Sequence, residues 1–512
     1  MNKVLGSALG VVVAVGALST AGAWFTGQQI PTVLDNAIQQ ANDDLAKSLP
    51  ATGFTARIEL LSLERHLFSS DARYRIQVTG SLDGEASADY AVTVKDRIEH
   101  GPFPLSRLSA FKLLPVMASS HFELERSPEL ETWFAASQNG SPLQGQVSLG
   151  YDEAVSGYLR LQPVQVNLDE QTRVDFSGLN VDFDTSANAE QISANGLMDS
   201  LQIHTQANDE TLRFAFNGMS LNSNTRKGSG DFYLGGNEVR LQQIEFQVGD
   251  HPPVLLKDFV QRDETTETNQ QLSVWQSYDV GMISYQGTDI GSSQMLWRVK
   301  NLDVTALQSL VELYGTLLQD GKLENDSGMP ELSDAQTAQL KVDLEKLLAG
   351  KPGIALEKLA FKTANGESSF SLGLDFNKPS SFDLPAEALA QELITQLDAQ
   401  LRVSKAMISD VVSVQAKIAG ETDQQAIAQQ AAMVGEMASG MALASELATL
   451  DGETIRASLN YADGQVTFNG KPMSVEQFMA LAMSSAGGLG AMGGTGDDEV
   501  LMDDSEGYSI DE

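Results

Sequence analysis

The chain of 512 residues contains no cysteine. Disulfides, thiolate nucleophiles and cysteine metal sites are therefore excluded, while the compartment stays open because a large periplasmic protein can fold without disulfides. Histidine is scarce as well: His66, His100, His121, His204 and His251 are the whole set, and no two stand three or four residues apart. A helical metal pair is thereby excluded. H-E-x-x-H, G-x-S-x-G and G-x-x-x-x-G-K-[ST] are all missing, and with them the familiar signatures of metalloproteases, serine hydrolases and phosphate loops. Basic residues are few, 33 Lys and Arg against 69 Asp and Glu, for a net charge of −36. No basic stripe stands out, which argues against nucleic acid as a partner. The acidity is spread along the chain, with 21 acids and five bases in residues 381–512. Solubility, including life at high salt where repulsion is screened, is the simplest reading, and a basic partner is the sharper one.

Hydrophobic residues make up 42% of the chain, so a sizeable core is feasible. The first of them form an unbroken run. Val4 to Phe25 carries no charge, and none follows until Asp35. About 20 apolar residues suffice to cross a bilayer. Lys3 and the α-amino group precede the run and acids follow it, so the positive-inside rule predicts a cytoplasmic start and an exported body. Trp24 and Phe25 suit the membrane–water interface. Ala21-Gly22-Ala23 fits a signal-peptidase site, but the length of the run and its aromatic end favour an anchor over residues 1–27. A juxtamembrane helix is predicted over 28–50, with Ile30, Leu34, Ile38, Ala41, Leu45 and Leu49 on one face. Pro31 is tolerated near its start, and Pro50 and Gly53 end it.

From about Phe54 the apolar period becomes two. "YRIQVTG", "DYAVTV", "GQVSLGY", "TLRFAFNGMSL" and "NEVRLQQIEFQV" are examples. Roughly ten such segments, separated by Gly, Asn and Asp clusters, run to about Val304 with little helix between them. They predict a large, mainly antiparallel sheet over 51–302, with one face apolar. No fixed-length repeat argues for a solenoid or propeller.

After Val304 the pattern is mixed through residue 484. Leu307, Leu310, Val311, Tyr314 and Leu317 mark one helix, and Ser333 caps a second that "GKPG" stops at 350–353. Strand signals return in "IALEKLAFKT" and "SSFSLGLDF". A helix starting near Asp383 is predicted to carry Leu389, Leu393, Ile394 and Leu397, with "AQLRVSKAMI" as strand after it. Glu421 to Leu450 reads as one long helix whose Met433, Met437 and Met441 form a flexible core stripe; an adaptable apolar surface is the alternative. Asp463-Gly464, between two alternating runs, is the strongest short hairpin signal in the chain. A final amphipathic helix, "SVEQFMALAM", is followed by a glycine-rich acidic tail over 485–512, expected to be flexible. The fold class is α+β: a membrane helix, then a large antiparallel β-sheet body with helical segments in its C-terminal half.

One histidine merits weighing as chemistry. His100-Gly101-Pro102-Phe103-Pro104 puts it beside two prolines and a glycine. Asp96 and Glu99 stand near enough in sequence to hold its ring, and His121 follows 21 residues on. The two prolines fix φ and remove two backbone donors, so the preceding strand must end there. Phe103 between them reads as a plug for a core pocket. Leu105, Leu108, Phe111 and Leu114 read as a packed cover closed by Pro115. A structural corner is the favoured interpretation, ahead of a partner contact and of catalysis. No catalytic, cofactor or metal residue is assigned.

His100-Gly101-Pro102-Phe103-Pro104-Leu105, with Pro115 and Met117-Ala118-Ser119 downstream, resembles the YdgA-like family of bacterial envelope proteins. So do Gly22-Ala23-Trp24-Phe25-Thr26-Gly27 near the start, and Tyr461-Ala462-Asp463-Gly464 with Asn469-Gly470 near the end. The likeness spans nearly the whole chain; the glycine-rich acidic tail departs from it. The resemblance implies a single-pass protein of a Gram-negative inner membrane with a periplasmic body, no established activity, and no catalytic residues to carry over.

Two functions of different class follow. One is a non-enzymatic envelope protein that binds or scaffolds a protein partner. The other is a lipid-binding or lipid-transfer protein whose apolar sheet face forms a groove, similar in architecture alone to the AsmA-like carriers. The discriminator is what covers that face: an open lining of Phe, Leu, Val and Met favours lipid, and a closed sandwich favours a scaffold.

Overall fold

The computed structural model describes residues 35, 38–43, 45–46 and 54–492, except 67, 81–87, 101–102, 110, 138–139, 168–170, 208–209, 231, 320–331 and 463. The apolar run with Trp24 and Phe25 lies outside the described residues, as do Gly101, Pro102, Asp463 and the tail from 493. Among the described residues no helix is long and apolar enough to cross a membrane.

Among the described residues, twenty-two strands form one antiparallel sheet. The first six are β1 (Phe54–Arg65), β2 (Ser69–Gly80), β3 (Ala88–His100), β4 (Ala118–Leu124), β5 (Leu143–Leu149) and β6 (Val155–Leu161). Each pairs with the next. The short β7 (Val164–Asn167) and β8 (Arg173–Phe176) form a side hairpin. β6 passes to β9 (Leu179–Thr185), and β10 (Gln191–Ala207) then pairs with both β9 and β8. The meander continues through β11 (Glu210–Lys227), β12 (Tyr233–Val248), β13 (Val254–Thr268), β14 (Gln271–Tyr285) and β15 (Thr288–Asp303). Fifteen strands thus precede Val304, where the sequence suggested about ten. Those from β10 to β15 are 15 to 18 residues long, about three times the common length.

The C-terminal third extends this same sheet. After α1 (Leu105–Ser109) and α2 (Glu131–Ala136), the next α-helices are the pair α3 (Val304–Gln319) and α4 (Asp334–Ala349), with a short 3-10 helix at Ala187–Ala189 in between. Ser333 closes a capping box on α4 with Gln336, as its position implied. Then β16 (Gly353–Lys362) pairs back onto β15, followed by β17 (Glu367–Phe376), α5 (Ala386–Leu393) and β18 (Ile394–Ser404). The α5 helix is shorter than expected. Ile394 and Leu397 belong to β18, because the β-sheet register takes over at the helix end. That strand stops at Ser404, whose hydroxyl caps α6 (Lys405–Ile418), so Lys405-Ala406-Met407-Ile408 are helical and not strand. α7 (Gln424–Ala444), capped by Asp423, packs against α6. β20 (Thr454–Ala462) joins β18 and the small β19 (Thr449–Asp451). Gly464 at φ 76° turns it into β21 (Gln465–Phe468), fulfilling the hairpin signal. β22 (Lys471–Met473) and α8 (Val475–Met492) end the described chain. α8 continues beyond residue 485 through Gly487, Gly488 and Gly490, farther than their composition suggested.

One core is closed. Ile58, Tyr74, Ile76, Val94, Phe122, Val147, Leu159 and Val181 from the first strands are buried together with Phe134 of α2. Over them lie the helical residues 38–43 and 45–46, whose Ile38, Ala41 and Leu45 are buried on the predicted stripe. That segment also guards a sheet edge. The Asn42 amide donates to Ile58 O (2.9 Å) and accepts from Ile58 N–H (2.7 Å), on the side of β1 turned away from β2. Unpaired edge groups invite pairing with other chains. Asn42→Ala is expected to cost about 1–3 kcal/mol, the usual penalty for orphaning such groups, and to raise aggregation. Urea unfolding and light scattering check both.

Candidate functional site

Strands β10 to β14 carry two rows of apolar side chains held in register. One row is Met198, Met219, Leu241, Phe259 and Val280. The other is Leu201, Phe216, Ile244, Leu256 and Ile283. Side chains two apart share a sheet face, yet these rows stand three apart in sequence, at 216/219, 241/244, 256/259 and 280/283. The phase is reset by an unpaired row between them. Gly218 sits there at φ 62° and Asp258 at φ 53°. A Cβ on Gly218 would lie 2.4 Å from Gln242 Cδ, and one on Gly281 would lie 2.9 Å from Asp258 Cβ. Gly218 and Gly281 thus leave room for the side chains of Gln242 and Asp258 along this irregular row. The result is that both rows face the same way: Met198, Phe216, Met219 and Leu241 are buried in one cluster with Leu201, Phe214, Ile244 and Phe259 packed on them.

Every member of that cluster comes from strands β8 to β13; no helix contributes. The lining continues in register past it. Tyr278, Met295, Leu359, Phe370 and Leu401 are successive cross-strand partners from β14 to β18. Trp297, Leu356, Leu372, Ala399, Leu459 and Phe468 do the same as far as β21. This stripe runs across the strands. From β10 to β18 it crosses nine of them, about 38 Å at the usual spacing of about 4.8 Å. It is not sealed: Phe246, Trp297, Ile354, Leu359 and Leu401 are each between 37% and 44% exposed. The sequence reading named the alternating segments but not these rows. The signal was the recurring three-residue slip beside Gly or Asp in successive strands.

The His100 corner is a different kind of place. His100 ends β3, its backbone N–H donating to Phe68 O (2.8 Å) and its Nε2 lying 2.9 Å from Ser70 Oγ. Neither carboxylate foreseen for its ring holds it. Glu99 accepts from Ser106 N–H (3.0 Å) and Oγ–H (2.6 Å). Asp96 accepts from Ser120 Oγ (2.6 Å). His121 pairs with Arg97 in β3 and so projects from the opposite face of the sheet to His100. The acid–base or metal pair considered for this corner is thus not assembled, and no cluster of three metal-ligating side chains occurs among the described residues. Tyr74 is buried against Asp96; burial first, and that carboxylate second, push its phenol well above the ordinary 10.0. It keeps its proton and offers no base.

Two expectations about the corner are corrected. Phe103 is 55% exposed and plugs nothing, although Pro104 beside it is buried. Leu105, Leu108, Phe111 and Leu114 are exposed too, so they cover no core. The residue that α1 buries is Arg107, which donates to Ser148 Oγ (3.1 Å) and to Leu114 O (3.4 Å). Arginine takes the inward position because a hydroxyl and a carbonyl are there to receive it. The methionine stripe of α7 is likewise corrected: Met433, Met437 and Met441 point outward, and the small face Ile427, Ala431, Gly435 and Ser439 is the buried one. Small side chains let α7 approach α6 closely.

On the other face of β1 to β6 lies a shallow charged concavity lined by Arg73, Lys95, Arg97, Glu64 and His121. It makes a poor anion site, because Arg73 is paired with Glu125 (2.5 Å) and Lys95 with Glu123 (3.3 Å).

Burial lowers both His100 and His121 from 6.5; for His121, Glu99 opposes the shift and Arg97 adds to it. A histidine held neutral binds its proton less well folded than unfolded, so stability is full above about 6.5 and falls as pH drops from there through the lowered value. Unfolding midpoints should therefore decline from pH 7 to pH 5, and His100→Gln with His121→Gln should flatten that decline. A pH series of urea denaturation measures it.

A family model described as bacterial protein of unknown function (DUF945) matches residues 1–476. Protein YdgA of Escherichia coli (strain K12) is 27% identical over 94% of this chain and 97% of its own. Uncharacterized protein YihF of the same organism is 23% identical over 93% of this chain and 98% of its own. An uncharacterized protein of Haemophilus influenzae is 26% identical over 34% of this chain and 46% of its own. No solved structure matches.

Proposed function

This chain belongs to the DUF945 family, and from that premise we propose that it is a non-enzymatic, lipid-binding protein of the bacterial envelope. The observation that carries the proposal is the apolar stripe: continuous, in register across β10 to β21, and still partly open to solvent on β12 to β18. Globular proteins bury such a surface or use it. At about 38 Å it exceeds the roughly 30 Å hydrocarbon thickness of a whole bilayer, so an extended acyl chain fits along it with room to move. The apolar run Val4 to Phe25 supports an inner-membrane anchor and a periplasmic body, and a body so anchored would have its lipid source at hand. No reaction is proposed: the hydroxyl–imidazole pairs Ser70–His100 (2.9 Å) and Ser119–His121 (3.5 Å) have serines fully buried in the sheet, out of reach of a substrate.

A photo-crosslinker placed at Leu359 or Leu401, on the stripe, is expected to capture phospholipid in living cells. The same crosslinker at Lys358, whose side chain leaves the opposite face, is the control. Adducts of protein only, or equal yields at the two faces, would remove the support.

The protein-scaffold reading keeps one observation of its own. The exposed methionines of α7 form an adaptable apolar surface of the kind that accepts varied partners.

A further inference from the structure

We propose that the segment Phe103 to Leu114 is a membrane-docking tip that inserts into the surface of a bilayer carrying anionic lipid. It stands apart from the stripe and does not depend on the lipid-binding reading. Phe103, Leu105, Phe111, Leu113 and Leu114 are each more than half exposed, and Phe68, which precedes β2 and accepts from His100 N–H, is 74% exposed. No other stretch among the described residues presents so many large apolar side chains to solvent.

The tip is built firmly. Arg107 is tied down by Ser148 and Leu114. Glu99 receives the N–H and hydroxyl of Ser106. Lys112 N–H donates to Arg107 O (2.9 Å) and Phe111 N–H to Leu108 O (3.1 Å), which is the paired closure of a helix end that normally has glycine in the left-handed position. Here that position holds Phe111, at φ 55°. A bulky side chain is strained there. The two hydrogen bonds hold the backbone, but the ring, 88% exposed, gains no packing of its own. A large apolar ring held in that position and left in water suits a contact outside the molecule.

Charge names the occupant. The chain has 69 acids in 512 residues, about one in seven, yet residues 100–122 contain none. The same stretch holds two bases, Arg107, which is buried, and Lys112, which is exposed. With Lys112 exposed and the nearby Glu99 carboxylate occupied by Ser106, this apolar tip on a strongly acidic protein is suited to approach anionic headgroups that would repel the rest of the surface. The methionines of α7 lack this character, since Glu436 sits among them.

Because the chain has no cysteine, one introduced thiol labels one site. Full-length Leu114→Cys, carrying an environment-sensitive fluorophore, would be reconstituted into vesicles of phosphatidylcholine with or without phosphatidylglycerol. The expected result is a blue-shifted emission, quenched by lipid-borne quenchers and stronger with phosphatidylglycerol, while the same label at Met437→Cys stays wet. Adding Phe111→Gly should weaken the shift and leave the melting temperature unchanged or higher, which separates lost docking from lost folding. A wet probe at Leu114→Cys, equal burial in neutral vesicles, or burial only after adding envelope proteins overturns the proposal. The crosslinking at Leu359 reads the stripe and this assay reads the tip, so either can fail alone.

Discussion

Leu359→Asp with Leu401→Asp is expected to empty the protein of acyl chains while it remains folded. Both side chains belong to the stripe and are 44% and 40% exposed, so the native protein can keep each carboxylate in water. The fold should lose about 1 kcal/mol or less per site, as ordinary surface changes do. A lipid lying on the stripe would have to strip water from those carboxylates. Burying an unpaired charge costs several kcal/mol, and a loss of about 3 kcal/mol already weakens binding on the order of a hundredfold. Phospholipid recovered per protein should fall to background, with far-UV dichroism and melting little changed. An unchanged lipid content would show that the stripe is not where lipid sits.

Leu159→Ala is the converse. Leu159 is 2% exposed in the closed core, between Gly145 and Val181 on the neighbouring strands. The neighbourhood is tightly fitted: a Cβ on Gly145 would lie 2.0 Å from Phe122 Cζ, so that ring occupies the space above the glycine. A core this close-packed does not collapse around a deletion, and the loss should be about 2–5 kcal/mol. Leu359→Ala, the same chemical change on the open stripe, should cost far less. Equal losses in urea denaturation would mean that the stripe is as sealed as the core.

Much of the fold was legible because β-sheets write their faces into the sequence with a period of two. The helical stripe Ile38-Ala41-Leu45, the Ser333 cap and the Asp463-Gly464 turn are local signals, and the described residues bear each of them out where they cover it. What escaped was decided by tertiary context. Leu397 joined a strand because β17 was waiting to pair with it. Met433, Met437 and Met441 have the spacing of a core face, but a rival face of small residues on the same helix packs more closely. Leu105 and Phe111 look like core residues in any window of sequence; the Leu114 carbonyl and the Ser148 hydroxyl, 41 residues away from Arg107, receive the arginine so that it is inside. The stripe itself was half legible. Its residues were visible as strands, while its single-sidedness depends on the irregular row at Gly218, Asp258 and Gly281.

The full-length protein extracted in mild detergent, exchanged extensively and weighed by native mass spectrometry with parallel lipid extraction, tests the central claim most directly. The account predicts a stoichiometric phospholipid that stays with the wild type and is missing from Leu359→Asp/Leu401→Asp. A wild-type protein that is cooperatively folded and free of lipid would contradict it.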